Sequence, residues 1–276
     1  MRTPKTRLVP NGAVALALLV LAAGCGPSAP AKTADPPAAT AAADPPAHHG
    51  TMVDIPGRGT QAYLSLPAPE KGKKFPAIVL IQEWWGLDDW IKQDADRFAA
   101  QGYIAVAPDL YHGKATKDPA EAHELMRGLP ADRALRDIDA VTDTVLGARS
   151  DIDMKHIGLI GWCMGGGYAL DFAMEQGGLA ALVVNYGHLV DDAAKIQKIS
   201  APLLGNFAGT DRGIPPAEVR AFEGKLKADG KEADVKIYEG AGHAFMNPNA
   251  KTYDAAAAKD AWQRIDTFFA KKLKAG

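Results

Sequence analysis

The amino-acid sequence predicts an α/β fold in which a mostly parallel, doubly wound sheet has an antiparallel N-terminal start and helices on both faces. Two observations lead to this fold class. Continuous apolar runs, typical of strands buried on both faces, alternate with segments of helical spacing, and such alternation forms parallel sheets. In addition, 47% of the 276 residues are hydrophobic and 23% are charged, which suits one large core. A single folded domain over residues 51–276 is therefore expected.

Residues 1–24 are predicted to be an export signal. Basic residues within the first seven positions precede an apolar run at 13–23 that is short for a membrane span. The run ends in LAAGC, whose last residue is Cys25, and this motif resembles the lipobox of bacterial lipoproteins. The resemblance implies that Cys25 is lipidated and anchors the exported protein in the cell envelope, an ordinary secretory signal with an incidental cysteine being the alternative. By resemblance to other lipoproteins, Gly26 in place of a retention aspartate favours the outer membrane in a cell that has one.

Residues 25–50 are predicted to be the lipidated cysteine and a tether. They consist almost entirely of Ala, Pro and small polar residues, which bury too little apolar surface to fold. His48 and His49 end this segment, and two adjacent histidines without further ligands favour a solvated pair over a metal site. The other cysteine is Cys163, so a lipidated Cys25 leaves it no disulfide partner. An unpaired thiol in an oxidising compartment must be sheltered or used.

From residue 51 onward the elements follow the order that the fold class requires. Two extended runs around a Pro-Gly turn at 51–67 predict the antiparallel start. Buried strands are then predicted at 75–82 and 103–110, with a helix between them that Gly102 closes. The later elements are a helix over 131–149, a strand at 156–162, a helix from 164, strands at 179–187 and 201–209, a helix over 217–230, a strand at 233–240 and a last helix bearing Trp262, Ile265, Phe269 and Leu273.

The charge distribution excludes one class of partner. The formal net charge is -2, and the basic clusters at 71–74 and 271–274 have the character of solvated faces. A nucleic-acid partner is therefore not expected. No metal or organic cofactor is expected either, and a monomer is favoured.

Polar side chains are predicted at the carboxyl ends of strands, where ligands bind in open α/β sheets. These candidates are Glu83, Cys163, Asp211 and His243. Cys163 lies in GWCMGG, in which Gly161 and Gly165 permit the tight strand-to-helix turn of a nucleophile elbow. The helix N-terminus favours a thiolate there, and the N–H of Met164 points to where an oxyanion would form. A buried, inert cysteine in a glycine-rich turn is the alternative.

Asp211 and His243 follow Cys163 in the order nucleophile, acid, histidine that an α/β-hydrolase triad shows. Each comes shortly after a predicted strand, Asp211 in AGTDRGIP and His243 in GAGHAF. Alone, a turn or helix-cap aspartate and a loop histidine are the simpler interpretations, but beside the elbow cysteine a triad is favoured. Glu83 fits a desolvated base of raised pKa or, alternatively, a surface loop glutamate.

The chain resembles the dienelactone hydrolase family, α/β-hydrolases with a Cys-His-Asp triad, over about residues 51–274. The matching stretches are IQEWWG at 81–86, PDLY at 108–111, GWCMGG at 161–166, GTDRGIP at 209–215, GAGHAF at 240–245 and the C-terminal AAAAKDAWQRIDTFF. The resemblance implies that Glu83 pairs with the Cys163 thiol and takes its proton when substrate binds. It also implies that His243, oriented by Asp211, moves protons during acyl transfer.

The resemblance further implies an oxyanion hole and a substrate pocket. The oxyanion donors would be the backbone N–H groups of Met164 and Trp84, and the pocket residues Trp84, Trp85, Tyr111, Lys114 and Asn247, with plain packing as the alternative for the tryptophans. The family has two arginines that hold a substrate carboxylate, where this chain has Gly113 and Asn247. Lys114 would be a poor replacement, so a broader esterase activity is favoured over hydrolysis of dienelactone itself. His112 and His188 also lie near strand ends, and a position outside the pocket is favoured for both.

The sequence thus predicts a lipid-anchored hydrolase of this family that cleaves a small ester or lactone through an acyl-cysteine intermediate. Two alternatives remain open. The protein could be a catalytically weak envelope protein that binds a ligand on the same scaffold, or a thioesterase or peptidase that uses the same triad.

Overall fold

The computed structural model describes residues 48–274. The predicted signal peptide, Cys25 and the tether up to residue 47 lie outside this part of the chain. The strands are β1 (Thr51–Ile55), β2 (Thr60–Ser65), β3 (Phe75–Ile81), β4 (Ile104–Pro108), β5 (Ile152–Trp162), β6 (Ala181–Asn185), β7 (Leu203–Ala208) and β8 (Ala233–Tyr238). The helices are α1 (Asp89–Ala100), α2 (Pro119–Arg127), α3 (Ala131–Ala140), which a π-helical segment (Val141–Leu146) continues, α4 (Met164–Glu175), α5 (Ala193–Ile196), α6 (Pro216–Ala228) and α7 (Ala255–Leu273). None of the helices in this range is both long and apolar enough to cross a lipid bilayer.

All the strands of the described residues belong to one sheet, with the order β1-β2-β4-β3-β5-β6-β7-β8. β2 pairs antiparallel with β1 and with β4, and the remaining pairs are parallel. This confirms the predicted mostly parallel sheet with an antiparallel start. After β4 the chain returns past β3 to form β5, so the winding direction reverses between β3 and β5. Ligands bind at the carboxyl ends of strands at such a switch point.

Helices cover both faces of the sheet, as predicted. On one face, α3, α4 and α6 pack against alternate sheet residues such as Val79 and Ile81. On the other face, α1 and α7 pack against Ile78 and Leu80. Successive residues of β3 are therefore buried on opposite faces, which explains why this strand is a continuous apolar run in the sequence.

Capping residues set the bounds of α1. Asp88 begins α1 by accepting a hydrogen bond from a first-turn amide, and Gly102, with φ 91°, follows its end in a conformation that favours glycine.

The sequence did not predict α2. Only Ala122 of this helix is buried, so the sequence shows no apolar period there. Its sequence signal is the Asp118-Pro119 cap. The four-residue helix α5 was missed as well, because it is too short to show a helical period.

The last three residues assigned to the tether lie against α1. The Nε2 atom of His48 is 3.0 Å from Oδ1 of Asp89, and the amide of His49 donates to Asp96 at 3.1 Å. The interpretation of both histidines as a solvated pair therefore does not describe His48. The reason is that α1 presents two carboxylates to the chain at the point where it enters the domain.

Candidate active site

Strand register brings three side chains of the site to neighbouring strand ends. β3 and β5 are paired up to Ile81 and Gly161, and Glu83 and Cys163 each follow two residues later. β5 and β6 are paired up to their last residues, so Tyr186, the first residue after β6, emerges on the other side of Cys163. The thiol of Cys163 is therefore flanked by a carboxyl group and a phenol at the carboxyl edge of the sheet.

The turn at Cys163 is strained and closely packed. Its backbone has φ 53° and ψ −119°, a combination that residues other than glycine rarely adopt. A β-carbon at Gly161 would overlap the carbonyl oxygen of Gly165, and one at Gly165 would overlap the carbonyl oxygens of Ile81 and Gln82. Both glycines are required because α4 approaches β5 and β3 without room for a side chain. These features are those of a nucleophile elbow.

A buried row of polar groups supports the strand that carries this turn. Nδ2 of Asn185 donates to the carbonyl of Gly161 at 3.2 Å, and Nδ2 of Asn206 donates to Oδ1 of Asn185 at 2.8 Å. The guanidinium of Arg264 on α7 donates to the same Asn206 side chain. The amide of Cys163 donates to the carbonyl of Asn185 at 3.0 Å. Because both asparagines are fully buried, an unmade bond would be costly, and the row holds β5, β6 and β7 in register below the thiol.

The side chains of Cys163, His243 and Asp211 form a continuous series of contacts. Nε2 of His243 is 3.1 Å from Sγ of Cys163, and its Nδ1 is 2.6 Å from Oδ2 of Asp211. The other oxygen of Asp211 accepts hydrogen bonds from the amides of Gly213 and Ile214, at 2.8 and 3.2 Å, which fix the carboxylate. The structure thus brings together the three residues that the sequence singled out, with the contacts that a catalytic triad requires.

Hydrogen bonding perturbs the acid and the histidine in opposite directions. Burial alone would raise the pKa of Asp211, but the hydrogen bonds from His243 and from the two amides lower it below its usual 3.8. Burial acts in the opposite direction on a base and would lower the pKa of His243. The hydrogen bonds to Asp211 and Cys163 outweigh this and raise the pKa from 6.5 to about 10. The arrangement therefore favours a protonated imidazole that is paired with the Asp211 carboxylate and lies against the sulfur of Cys163.

The amide of Met164 lies where α4 begins. The amides of Gly166 and Gly167 donate to the carbonyl of Cys163, at 3.1 and 3.3 Å, whereas the first N–H groups of a helix have no partner within it. The hydroxyl of Tyr111 donates to Sδ of Met164 at 3.2 Å, which holds that side chain beside the elbow. The Met164 N–H is thus positioned at the positive end of the helix dipole, next to the sulfur.

Glu83 is buried and is held by Asn247. It is 2% exposed, and Nδ2 of Asn247 donates to its Oε2 at 2.8 Å. Burial raises the pKa of Glu83 from 4.5 to about 7, although the hydrogen bond from Asn247 opposes this shift. The expected pairing of Glu83 with the thiol is not present, because the sulfur lies against His243. The carboxyl group instead accepts the hydrogen bond of the Asn247 amide, and the sulfur faces the imidazole of His243.

Tyr186 is a residue of this site that sequence reasoning missed. It is fully buried, and its ring stands edge-on to His243, with the ring centroids 5.3 Å apart. Burial raises its pKa well above the ordinary value, so the phenol stays neutral. The non-glycine residues with positive φ in residues 48–274 are His112, Cys163, Tyr186 and Ala244, and all four lie in loops that follow strands at this edge. The signal for Tyr186 was the polar Asn-Tyr pair that ends the apolar run at 179–187.

The other predicted pocket residues lie on two loops that are joined to each other. Trp84 and Trp85 are half-buried, with ring centroids 4.8 Å apart. The amide of Thr116 donates to the carbonyl of Trp85 at 2.9 Å, which ties the loop after β4 to the loop after β3. On the loop after β4, Tyr111 is buried and Lys114 is exposed. The two loops form one wall beside the elbow.

The remaining histidine candidates and two surface grooves lie apart from the sulfur. Nε2 of His112 is 3.1 Å from the buried Asp137, and His188 is exposed. Surface grooves of about 510 and 400 Å³ lie between β8 and α7 and between β2 and α1, and neither is lined by a predicted site residue. Within residues 48–274, no group of three or more metal-ligating side chains lies close enough to hold an ion.

Fold and site together define the class of the protein. The thiol follows β5, the acid follows β7 and the histidine follows β8 of a sheet that winds in both directions, which is the α/β-hydrolase arrangement. The chain belongs to the dienelactone hydrolase family, whose model matches residues 60–273.

Known proteins agree with this family. A Methylorubrum extorquens protein provisionally named carboxymethylenebutenolidase is 32% identical over 222 residues, covering 75% of this chain and 75% of its own length. An Escherichia coli K12 protein with the same provisional name is 31% identical over 233 residues, covering 79% and 85%. The crystal structure of a provisionally described dienelactone hydrolase from Klebsiella pneumoniae superposes with a TM-score of 0.73 at 29% identity, over 80% of this chain and 98% of that one. The protein is therefore a hydrolase of the carboxylic-ester class that acts on a small molecule.

Proposed function

We propose that the protein hydrolyses small esters or lactones through an acyl-cysteine intermediate on Cys163. The observation that carries this proposal is the contact series from Cys163 through His243 to Asp211, at 3.1 and 2.6 Å, on an elbow whose backbone is strained. Backbone strain of this kind persists only where the surrounding structure enforces it, and it concentrates at functional sites.

In the first half of the reaction, the thiolate of Cys163 attacks the carbonyl carbon of the substrate. The negative charge that develops on the carbonyl oxygen is stabilised by the N–H of Met164 and, as the second donor, that of Trp84. When the tetrahedral intermediate collapses, the C–O bond of the ester breaks and His243 gives its proton to the leaving alkoxide. The products of this half are an alcohol and a thioester on Cys163, and in a lactone the two remain joined.

The second half of the reaction uses the same histidine as a base. Acylation removes the negative charge of the sulfur, and with it one of the two interactions that raise the pKa of His243. The imidazole, now neutral and still oriented by Asp211, takes a proton from water, and the resulting hydroxide attacks the thioester. Cleavage of the C–S bond releases the carboxylic acid and restores the thiolate and the imidazolium.

We further propose that the protein is exported and is anchored in the cell envelope as a monomer by a lipid on Cys25. The apolar run and the LAAGC sequence support this assignment. The full-length protein is expected in the membrane fraction with the mass of an acylated N-terminal cysteine, and Cys25→Ser in the periplasmic fraction without it. Identical fractionation and mass for both forms would contradict the anchor.

The catalytic proposal is tested on the full chain carrying Cys25→Ser, which leaves Cys163 as the one cysteine. The protein is mixed briefly with small esters, lactones and thioesters, and its intact mass is measured while product formation is followed. A transient acyl adduct that is absent in Cys163→Ala is expected, together with turnover that Cys163→Ala lacks. A folded Cys163→Ala protein that keeps full turnover would refute the proposal. Binding without an adduct or turnover would support a ligand-binding protein instead, and adducts from thioesters alone would indicate a thioesterase.

A further inference from the structure

Asp137 is a buried carboxyl group that the proposed reaction does not use. It lies on α3 and is fully buried. Nε of Arg58 donates to its Oδ1 at 2.7 Å, and Nε2 of His112 is 3.1 Å from its Oδ2. Because a carboxylate can only accept hydrogen bonds, Nε2 of His112 carries the proton that faces it. Asp137 thus joins α3 to the turn between β1 and β2, which bears Arg58, and to the loop after β4, which bears His112.

His112 has a backbone conformation that its surroundings must enforce. Its φ of 54° lies in the left-handed region, which is uncommon for residues other than glycine. On either side of it, the amides of Tyr111 and Gly113 donate to the two carboxylate oxygens of Asp109, at 3.0 and 2.6 Å. The bond to Asp137 adds a side-chain anchor at the centre of this turn. Strained backbone of this kind concentrates at functional sites, and this loop borders the proposed active site.

The residue next to His112 contacts the elbow. Tyr111 is buried, and its hydroxyl donates to Sδ of Met164 at 3.2 Å. Met164 follows Cys163 and supplies the first proposed oxyanion donor through its backbone N–H. Because Tyr111 and His112 are adjacent, a displacement of His112 would also displace the hydroxyl that holds the Met164 side chain.

The far end of the same loop holds the second proposed oxyanion donor. The amide of Thr116 donates to the carbonyl of Trp85 at 2.9 Å, and Ala115 forms a bridge with Gly86. The two loops are in main-chain contact there, since a β-carbon at Gly86 would lie 2.8 Å from Cα of Ala115. Trp84, whose N–H is the donor, is the residue before Trp85. The position of this N–H therefore depends on the loop after β4.

We propose that His112 is a positioning residue of the proposed esterase site. Through its bond to Asp137 it fixes the loop after β4, and this loop in turn holds the N–H of Trp84 and the side chain of Met164 in place. The inference rests on the proposed function of Cys163. Oxyanion donors stabilise a transition state only when they are in place before the charge develops, so a loosened loop should slow the attack on a carbonyl carbon.

Three variants separate this role from a general effect on the fold. His112→Ala removes the donor, whereas His112→Gln can donate from its side-chain amide at a similar distance from the backbone. Both keep a residue other than glycine at the strained position, so the backbone strain is comparable. Arg58→Met removes the other donor to Asp137, but it lies in the turn between β1 and β2 rather than in the loop. It is expected to lower the melting temperature at least as much as His112→Ala, because a buried carboxylate loses its cation.

The first test measures hydrogen exchange of residues 109–117 by mass spectrometry, with the full chain carrying Cys25→Ser as the parent protein. At a temperature at which thermal melting shows each compared protein to be folded, His112→Ala is expected to exchange these amides about tenfold faster than the parent or more, because the loop opens locally. His112→Gln and Arg58→Met should stay within about threefold of the parent. No acceleration in His112→Ala, or an equal acceleration in Arg58→Met, would overturn the inference whatever the chemistry of Cys163. If Arg58→Met does not fold, the comparison of His112→Ala with His112→Gln decides alone.

The second test compares two reactions of the same thiol. Hydrolysis of 4-nitrophenyl acetate passes through an oxyanion, whereas alkylation by iodoacetamide forms the S–C bond as iodide leaves and develops no oxyanion. For His112→Ala, kcat/KM for the ester is expected to fall about tenfold or more, while the alkylation rate of Cys163 stays within about twofold of the parent. His112→Gln should restore kcat/KM. An equal fall in both rates, or no fall in kcat/KM, would overturn the inference. Absence of ester turnover and of any acyl adduct in the parent would instead refute the proposed function, and with it this role of His112.

Discussion

At the scale of single residues, the protonation of Glu83 couples the site to the stability of the fold. Its pKa in the folded protein is about 7, above the usual 4.5, mainly because of burial. A group with a raised pKa binds its proton more tightly in the folded than in the unfolded state. Its contribution to stability is therefore complete below pH 4.5 and is lost as the pH rises through 7.

Glu83→Gln is expected to remove this pH dependence, because a glutamine cannot ionise and its carbonyl can still accept the hydrogen bond from Asn247. Relative to wild type, the free energy of unfolding of the variant should rise between pH 4.5 and pH 8 by up to ~3 kcal/mol. Urea unfolding at pH 4.5, 6 and 8 measures the difference. A difference that stays constant over this range would mean that Glu83 is ionised in the fold at all three values.

The contacts among Cys163, His243 and Asp211 could be predicted from the sequence, but the pairing of Glu83 could not. Cys163, Asp211 and His243 each lie next to a recognisable strand and in a known chain order, so local pattern was sufficient. The contact of Glu83 with Asn247 joins residues 164 positions apart. It depends on which hydrogen-bond donor the fold places next to the carboxyl group. That choice is made by packing in the fold, and no periodicity in the sequence records it.

At the scale of elements, the contact between α4 and the end of β3 depends on the absence of a side chain at Gly165. A β-carbon there would meet the carbonyl groups of Ile81 and Gln82, which are main-chain atoms and cannot move aside by changing rotamer. Gly224, within α6, has open space around it. The two glycines therefore have opposite roles, one required by packing and one not.

Gly165→Ala is expected to push α4 away from β3 and destabilise the protein by about 2 kcal/mol or more, as overpacking does elsewhere. The matched control Gly224→Ala should instead gain up to about 1 kcal/mol, because alanine is the better helix former. Thermal and urea unfolding compare the two. The displaced helix should also change the rate at which iodoacetamide alkylates Cys163, with no such change in Gly224→Ala. Equal stability of both variants would show that α4 adapts to the added methyl group.

The elements themselves could be predicted where the core imposes a period and not where it does not. The strands from β3 to β7 and the helices α1, α4, α6 and α7 bury a regular apolar face, so their order was correct from sequence. α2 buries only Ala122, and α3 passes into a π-helical segment at 141–146, a change of helix type that leaves no trace in apolar spacing. Apolar periodicity in a sequence reflects hydrophobic burial, so an element that buries few apolar side chains leaves no periodic pattern.

At the scale of the whole molecule, one carboxylate fastens the start of the folded chain to two other elements. Asp96 on α1 accepts hydrogen bonds from the amides of His49 and Gly50, each at 3.1 Å. It also accepts from Ser65 on β2 at 2.7 Å and from Tyr63 at 2.8 Å. The entry of the chain, the antiparallel part of the sheet and α1 therefore converge on this side chain. Burial alone would raise the pKa of Asp96, but these hydrogen bonds lower it below 3.8.

Asp96→Asn should therefore weaken the fold in a pH-dependent way. The amide has one acceptor atom where the carboxylate has two, and hydrogen bonds to a charged group are the stronger ones, so a loss of about 1–3 kcal/mol is expected at pH 7. Because the folded pKa of Asp96 lies below 3.8, wild type keeps this advantage above pH 3.8 and loses it as the pH falls through the folded value. Urea unfolding at pH 7 and pH 3 compares wild type with Asp96→Asn, and Glu223→Gln on the exposed side of α6 serves as the control for a lost surface charge. If Asp96→Asn loses no more stability than that control at pH 7, the hydrogen bonds to Asp96 do not fasten the entering chain. If its loss is the same at pH 3 as at pH 7, their strength does not depend on the charge of the carboxylate.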